Sequence, residues 1–247
     1  MHAVVLATEF QEWLGGDQEK RPRALLEVGG KPVIDHLLPF FLSAPAVEMI
    51  HVRTNALYHP FFKEWLRGCR YMGKVELSSN GAMAPEDDPG LVAELETICT
   101  KKRFKKEILL TLGGSIFNFP IGSFLDCCRK RDGDVVSVTT AHPRRVFRGG
   151  GLVTITSNDR VIDFREDPAK TGAELSALPL YRMSARSIPF VKKYLMSGND
   201  CDSLASFFAW SYRRRPLFAC VTDAPHHQIA DEESYATARA AFEKSSR

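Results

Sequence analysis

The sequence predicts one α/β domain built on a mostly parallel sheet with helices on both faces. Strand-length apolar runs alternate with segments of helical spacing along the chain. The first run, His2–Ala7, is continuously apolar instead of alternating, as in a strand buried on both sides. The 247 residues, 44% of them hydrophobic, are enough for one core, and no break in composition divides them.

After the strand His2–Ala7, Pro32 suits the first turn of a helix, with Val33, Leu37, Phe40 and Phe41 following at helical spacing. Met49–Thr54 reads as a strand, Pro60–Cys69 as a helix and Val75–Leu77 as a short strand. Ser78–Pro89 is a polar loop, followed by a helix over Leu91–Lys102 and a buried strand over Glu107–Leu112. Ser123–Arg131 is helical and Val135–Thr140 is a strand. Gly151–Ser157 and Val161–Arg165 flank Asn158-Asp159, residues that tolerate the positive φ of a tight turn, so they predict a hairpin. Leu178–Met183 is a strand. Ser184 or Ser187 is placed to cap a helix running to Met196, and Asp200 or Asp202 one through Tyr212. Leu217–Val221 is the last strand, and Glu232–Lys244 a terminal helix with Tyr235 and Phe242 facing inward.

Composition excludes several functions. A net charge of +3 marks out neither nucleic acid nor membrane as a partner. The six cysteines show no C-x-x-C pair and no zinc spacing, and read as small buried hydrophobes in a reducing compartment. The N-terminus lacks the basic region of a signal peptide. The uncharged stretch Ile108–Leu125 carries glycines, Asn118 and Pro120, which read as strand, loop and helix start. A cytoplasmic protein is expected.

The run Arg21-Pro22-Arg23-Ala24-Leu25-Leu26-Glu27-Val28-Gly29-Gly30-Lys31-Pro32-Val33-Ile34-Asp35-His36-Leu37-Leu38 resembles the segment "xPKALLPVGGKPLIEHLL" of the sugar-1-phosphate nucleotidyltransferases. Further fragments follow in the family's order. Glu107–Ser115 resembles the strand ending in "NGD", and Gly151–Pro168 resembles "GvVxxdxxGrVxxFxEKP". Leu178–Met183 resembles "NAGIYxF", and Gln228–Ala238 the closing "DIGTPEDYxxA". The resemblance implies a doubly wound, Rossmann-like α/β fold of the nucleotide-diphospho-sugar transferase type, with a mixed sheet and a small hairpin-bearing subdomain near residues 142–183. It also implies a reaction that joins a nucleoside triphosphate to a sugar 1-phosphate.

The chemistry of that reaction is missing from the same alignment. Attack on the α-phosphorus builds charge on phosphate oxygens, so catalysis rests on backbone N–H groups, cations and Mg²⁺. The family's Leu-Ala-x-Gly-x-Gly-Thr-Arg loop is here Leu6-Ala7-Thr8-Glu9-Phe10-Gln11-Glu12-Trp13, with both glycines and the arginine replaced. The metal-holding Asp of "NGD" aligns with Ser115, and that of "DIG" with Gln228. Neither replacement is a carboxylate. The sugar-side Lys of "EKP" becomes Asp167. By resemblance, the remaining nucleotide or phosphate candidates are Thr8, Arg23 (for the Lys of "PK"), Gly90 (from "PxGTAGA"), Gly114 and Ser115. The sugar-side candidates are Glu166 and Ala177. No catalytic residue and no metal ligand is assigned.

Other motifs have plainer readings. Asp132-Gly133-Asp134 and Asp200-Cys201-Asp202 spell D-x-D but fit a turn and a helix cap. Glu9, Glu12 and Asp17 are read as solvated and His226-His227 as a surface pair. The basic clusters Lys101–Lys106, Arg144–Arg148 and Arg213–Arg215 are assigned to helix ends or solvent. Phe61, Phe62, Trp65, Phe207, Phe208 and Trp210 are read as core.

The expectation is therefore a nucleotidyltransferase-like protein without catalysis, acting as a regulatory or scaffolding subunit that binds a nucleotide or nucleotide sugar. A protein partner or homo-oligomer would accompany that role. Two alternatives stand beside it: an active sugar-1-phosphate nucleotidyltransferase, the only reading that brings in Mg²⁺, and a protein-interaction module without a small ligand.

Overall fold

The computed structural model describes residues 1–10, 21–140, 147–166 and 175–245. Nine strands form the main sheet: β1 (His2–Ala7), β4 (Met49–Thr54), β5 (Val75–Ser79), β6 (Ile108–Leu112), β8 (Asp134–Thr139), β9 (Leu152–Ile155), β10 (Val161–Arg165), β11 (Leu175–Met183) and β12 (Leu217–Thr222). Their order is β10-β9-β11-β6-β1-β4-β5, with β8 beside β11 and β12 beyond β8. β1 pairs parallel with β4 and β6, and β4 with β5, while β11 runs antiparallel to β6, β8 and β9. The sheet is mixed, as expected.

β11 organises one half of the molecule. Along one edge it pairs with β8, and along the other with β6 near its C-terminus and β9 near its N-terminus. Its register against β8 shifts between Ala177 and Tyr181. Pro179 lies in that interval, where a residue without an N–H removes no ladder bond. The hairpin β9–β10 joins the main sheet through this strand. Its turn closes on Asp159, at φ 63°, while Asn158 keeps a negative φ.

Alternation along the central strands splits the core into two faces. Ala3, Val5 and Ala7 of β1 pack with Ile50, Val52 and Leu109 under α1 (Ile34–Leu42), α2 (His59–Gly68) and α4 (Ile121–Arg129). Val4 and Leu6 pack on the opposite face with Leu110, Val136 and Tyr181 under α3 (Leu91–Lys102), α5 (Ile188–Met196) and α6 (Leu204–Ser211). Both faces of β1 are fully buried at Val4, Val5 and Leu6, each contributing about 1.5–3 kcal/mol of hydrophobic transfer. Among the described residues, no helix is long and apolar enough to cross a membrane.

Several local expectations change. Pro32 belongs to β3 (Lys31–Pro32), which pairs with β2 (Glu27–Val28) across Gly29 and Gly30, at φ 60° and 75°. Positive φ at both positions is what a two-residue hairpin turn demands, and glycine supplies it. Ser203, not Asp200 or Asp202, caps α6, accepting from the Ser206 N–H. Ser187 does not cap α5; its hydroxyl meets Ser184 and the Arg215 guanidinium instead. A small sheet absent from the expectations joins β7 (Ser115–Phe117) to β13 (His226–Gln228). It places His226 in the interior, stacked on Phe117 with centroids 5.0 Å apart, so the histidines are not a surface pair. α7 (Glu232–Ser245) closes this corner through Ala238 against Ile116, Ile229 and Val28.

Candidate functional site

Open α/β sheets bind ligands beyond the C-terminal ends of their strands, at the point where strand order reverses. Here β1 is flanked by β4 and β6, and the chain leaves β1 directly into Thr8 and Glu9. Polar side chains fill the space beyond these ends. The Thr8 carbonyl accepts from Asn55 Nδ2 at 2.8 Å, and Asn55 Oδ1 accepts from the Tyr58 N–H at 2.8 Å. Both residues are fully buried. At the end of β4, Arg53 donates through Nε to Glu94 Oε2 at 2.5 Å and through Nη1 to the Ser79 carbonyl at 2.5 Å. This buried ion pair links β4, β5 and α3, and Glu94 lies in the first turn of α3, where a carboxylate is favoured.

The centre of the site is a carboxylate between two arginines. Glu9 Oε2 lies 3.2 Å from Arg23 Nη1, and Glu9 Oε1 pairs with Arg148 Nε. Arg23 stands on a single 3-10 turn, Arg23–Leu25, and also reaches the Phe10 carbonyl at 3.4 Å. Burial pushes its pKa down, and the Glu9 charge pushes back. The notch lined by Ala7, Glu9, Pro22, Arg23, Ala24, Gly113 and Gly114 has a volume of about 10 Å³. That is room for one water at most, against several hundred Å³ for a nucleotide-sized ligand. Glu9 is thus not solvated, as the sequence reading had it; only 11% of its side chain is exposed.

Ser115 and Gln228, the positions aligned with the family's metal carboxylates, are direct cross-strand partners on β7 and β13. Two segments 113 residues apart in sequence therefore meet in one small sheet. The donor set does not fit magnesium. Gln228 spends both ends of its carboxamide on the backbone of Arg148, accepting from its N–H at 2.7 Å and donating to its carbonyl at 2.7 Å. Ser115 Oγ is buried without a hydrogen-bond partner. A neutral hydroxyl and a committed amide offer no charge to a hard cation. Among the described residues, the group of acids and thiols close enough to share an ion is Asp200, Cys201 and Asp202, on a separate loop.

The remaining candidates divide. Gly114 accepts from the Ile229 N–H at 2.8 Å, and a Cβ there would meet the Ile229 carbonyl at 2.8 Å, so glycine allows this close approach beside Ser115. Arg23 and Gly114 thus line the small notch, while Thr8 and Ser115 are not among its lining residues. Gly90 precedes α3 at φ 88°, and a Cβ there would lie 2.6 Å from the Cys201 carbonyl. Val92 N–H also bonds that carbonyl, so this turn is packed under the 200–202 loop. Glu166 accepts from Ser203 Oγ at 2.9 Å and Ser206 Oγ at 3.0 Å, which ties it to the start of α6. Ala177 is fully buried within β11, its N–H bonded to the Gly151 carbonyl at 2.6 Å. Gln11, Glu12, Trp13, Asp17, Arg144, Arg145 and Asp167 lie outside the described residues.

Sequence reasoning missed Arg148, Asn55 and the Arg53–Glu94 pair. Arg148 was visible only as one member of a basic cluster, and an isolated Arg in a strand carries no local sign of its partner.

No protein-family model and no curated protein sequence matches the chain. Solved structures do. An apo UDP-glucose pyrophosphorylase has a TM-score of 0.81 at 10% identity, over 100% of this chain and 99% of that one. A UDP-glucose pyrophosphorylase complexed with UDP-glucose has 0.79 at 11%, over 99% and 98%. The inositol-1-phosphate CTP transferase from T. maritima has 0.75 at 12%, over 98% and 96%. The fold is therefore the nucleotide-diphospho-sugar transferase type, over the full length of the chain.

Proposed function

We propose that this nucleotidyltransferase-like protein transfers no nucleotidyl group and acts as a regulatory or scaffolding subunit. The observation that carries the reading is the Glu9 carboxylate, held between Arg23 and Arg148 at the end of β1. There it occupies the place of a phosphate and neutralises the cations that would attract one. Charge neutralisation is most of what phosphoryl chemistry asks of a protein, and losing one such contact costs roughly a hundred- to a thousandfold in rate. Ser115 and Gln228 add no metal charge to offset that loss. A nucleotide or nucleotide sugar enters this site only by displacing Glu9, which makes ligand binding and a change in the Arg23–Arg148 corner one event.

The test is a pyrophosphate-release assay with each nucleoside triphosphate, Mg²⁺ and a panel of sugar 1-phosphates, with calorimetry on UDP-glucose. No product is expected in any combination. Weak UDP-glucose binding that strengthens in Glu9→Ala supports the ligand-sensing role, and no binding in either protein supports a purely scaffolding one. Mg²⁺-dependent product formation overturns the proposal.

A further inference from the structure

Most of the basic run Lys101–Lys106, read from the sequence as a solvated helix end, lines a cavity of about 430 Å³. The cavity lies at the N-terminal ends of β1 and β4, where His2, Met49, His51, Glu76 and Phe104 also contribute to its lining. The length of β1, six residues at about 3.3 Å each, sets it roughly 20 Å from the Glu9 notch.

The charge of this cavity is unbalanced. Lys102 pairs with Glu76, and Lys106 with Glu48 at 3.1 Å. Glu48 and Glu76 are the acids of the lining, so both are committed. Arg103 and Lys105 are exposed, and among the described residues neither has an ion-pair partner. Burial lowers the pKa values of His2 and His51, so both rings are neutral at pH 7 and add no charge. Two uncompensated cations therefore line one cavity.

One wall is a cluster of rings. The Phe104 centroid lies 5.2 Å from that of His2 and 5.3 Å from that of His51, and the two imidazoles are 5.1 Å apart. The chain turns into this wall through Arg103, which ends α3 at φ 51°. Helices commonly end in this left-handed conformation on glycine. A charged side chain kept where glycine is the easier residue points to a use for that charge.

We propose that this cavity is a second ligand site, one that takes a small aromatic phosphate.

Its volume falls among those of small-molecule sites, about 300–1,000 Å³. The Arg103 guanidinium suits two phosphate oxygens at once, and Lys105 adds a point charge. A ring attached to the phosphate covers Phe104 and the imidazoles. Bare phosphate leaves that wall wet, and an uncharged ring leaves the cations unmatched. The site is independent of the Glu9 corner, so either reading can fail alone.

The test is calorimetry on the full chain at low ionic strength with phenyl phosphate, inorganic phosphate and phenol. Phenyl phosphate should bind, and the other two at the same concentration should give no saturable heat. Arg103→Gly with Lys105→Ala should weaken phenyl phosphate about tenfold or more, as loss of charged hydrogen bonds does. Glycine accepts φ 51° without strain, so the end of α3 survives that change. Phe104→Leu keeps the apolar packing, removes the ring and should weaken binding severalfold. Arg213→Ala, which removes an exposed cation after α6, should leave the affinity unchanged. No phenyl phosphate binding, inorganic phosphate binding as tightly, an affinity that survives the Arg103/Lys105 double change, or an equal loss in Arg213→Ala would overturn the proposal.

Discussion

Gln228 grips Arg148 by both polar groups of its main chain, with two 2.7 Å hydrogen bonds across 80 residues of sequence. The backbone of Arg148 is thereby fixed while its guanidinium pairs with Glu9, so Gln228 supports the residue that holds the Glu9 carboxylate.

Gln228→Ala should cost about 1–3 kcal/mol, the net value of two hydrogen bonds to otherwise buried groups. Urea denaturation measures it. Gln228→Glu should cost as much, because a carboxylate cannot donate to the Arg148 carbonyl.

Glu9→Ala leaves Arg23 buried without its partner, a change of about 3–5 kcal/mol for a fully buried pair and less here because Arg148 is half exposed. Inorganic phosphate or sulfate should restore part of the loss by filling the vacated position. A melting temperature that rises with phosphate in the variant, but not in the native chain, is the expected result.

Glu94→Ala should be more damaging. Arg53 and Glu94 are both almost wholly buried, and removing one charge strands the other, at about 3–5 kcal/mol. The double change Arg53→Met with Glu94→Leu should recover much of that loss, because an apolar pair of similar volume needs no partner. Equilibrium unfolding of the single and double variants separates the two costs.

Acid should weaken the fold through the opposite end of the sheet. His51 lies between His2, at 3.0 Å, and Glu76, at 3.1 Å, with Lys102 also paired to Glu76. Burial lowers its pKa from 6.5 to about 4. The folded state therefore refuses a proton that the unfolded chain accepts, so stability falls as pH drops from about 6.5 toward 4, by at most about 3 kcal/mol. Glu76, whose pKa is also lowered, loses its contribution in the same direction. His51→Gln should flatten the pH dependence of unfolding across that window.

Much of the framework was legible because its signals are local. Met49–Thr54 and Val161–Arg165 match their strands, since apolar runs bounded by turn residues need only their own sequence to be seen. β7 and β13 were not legible. Three residues each carry no periodicity, and Ser115 meets Gln228 only after the whole chain has wound between them. The aligned positions of both were readable, but not the fact that they are partners.

The chain's own residue order determined the alternation of strands and helices, the absence of glycines just after Leu6, and the absence of carboxylates at Ser115 and Gln228. Only the tertiary structure decided what the side chains at these positions contact. Glu9 read as a solvated acid because charge on a loop is ordinarily hydrated. Its burial depends on Arg23 and Arg148, brought to it from 14 and 139 residues away, and ion pairing across such distances is a property of the folded surface rather than of any window of sequence.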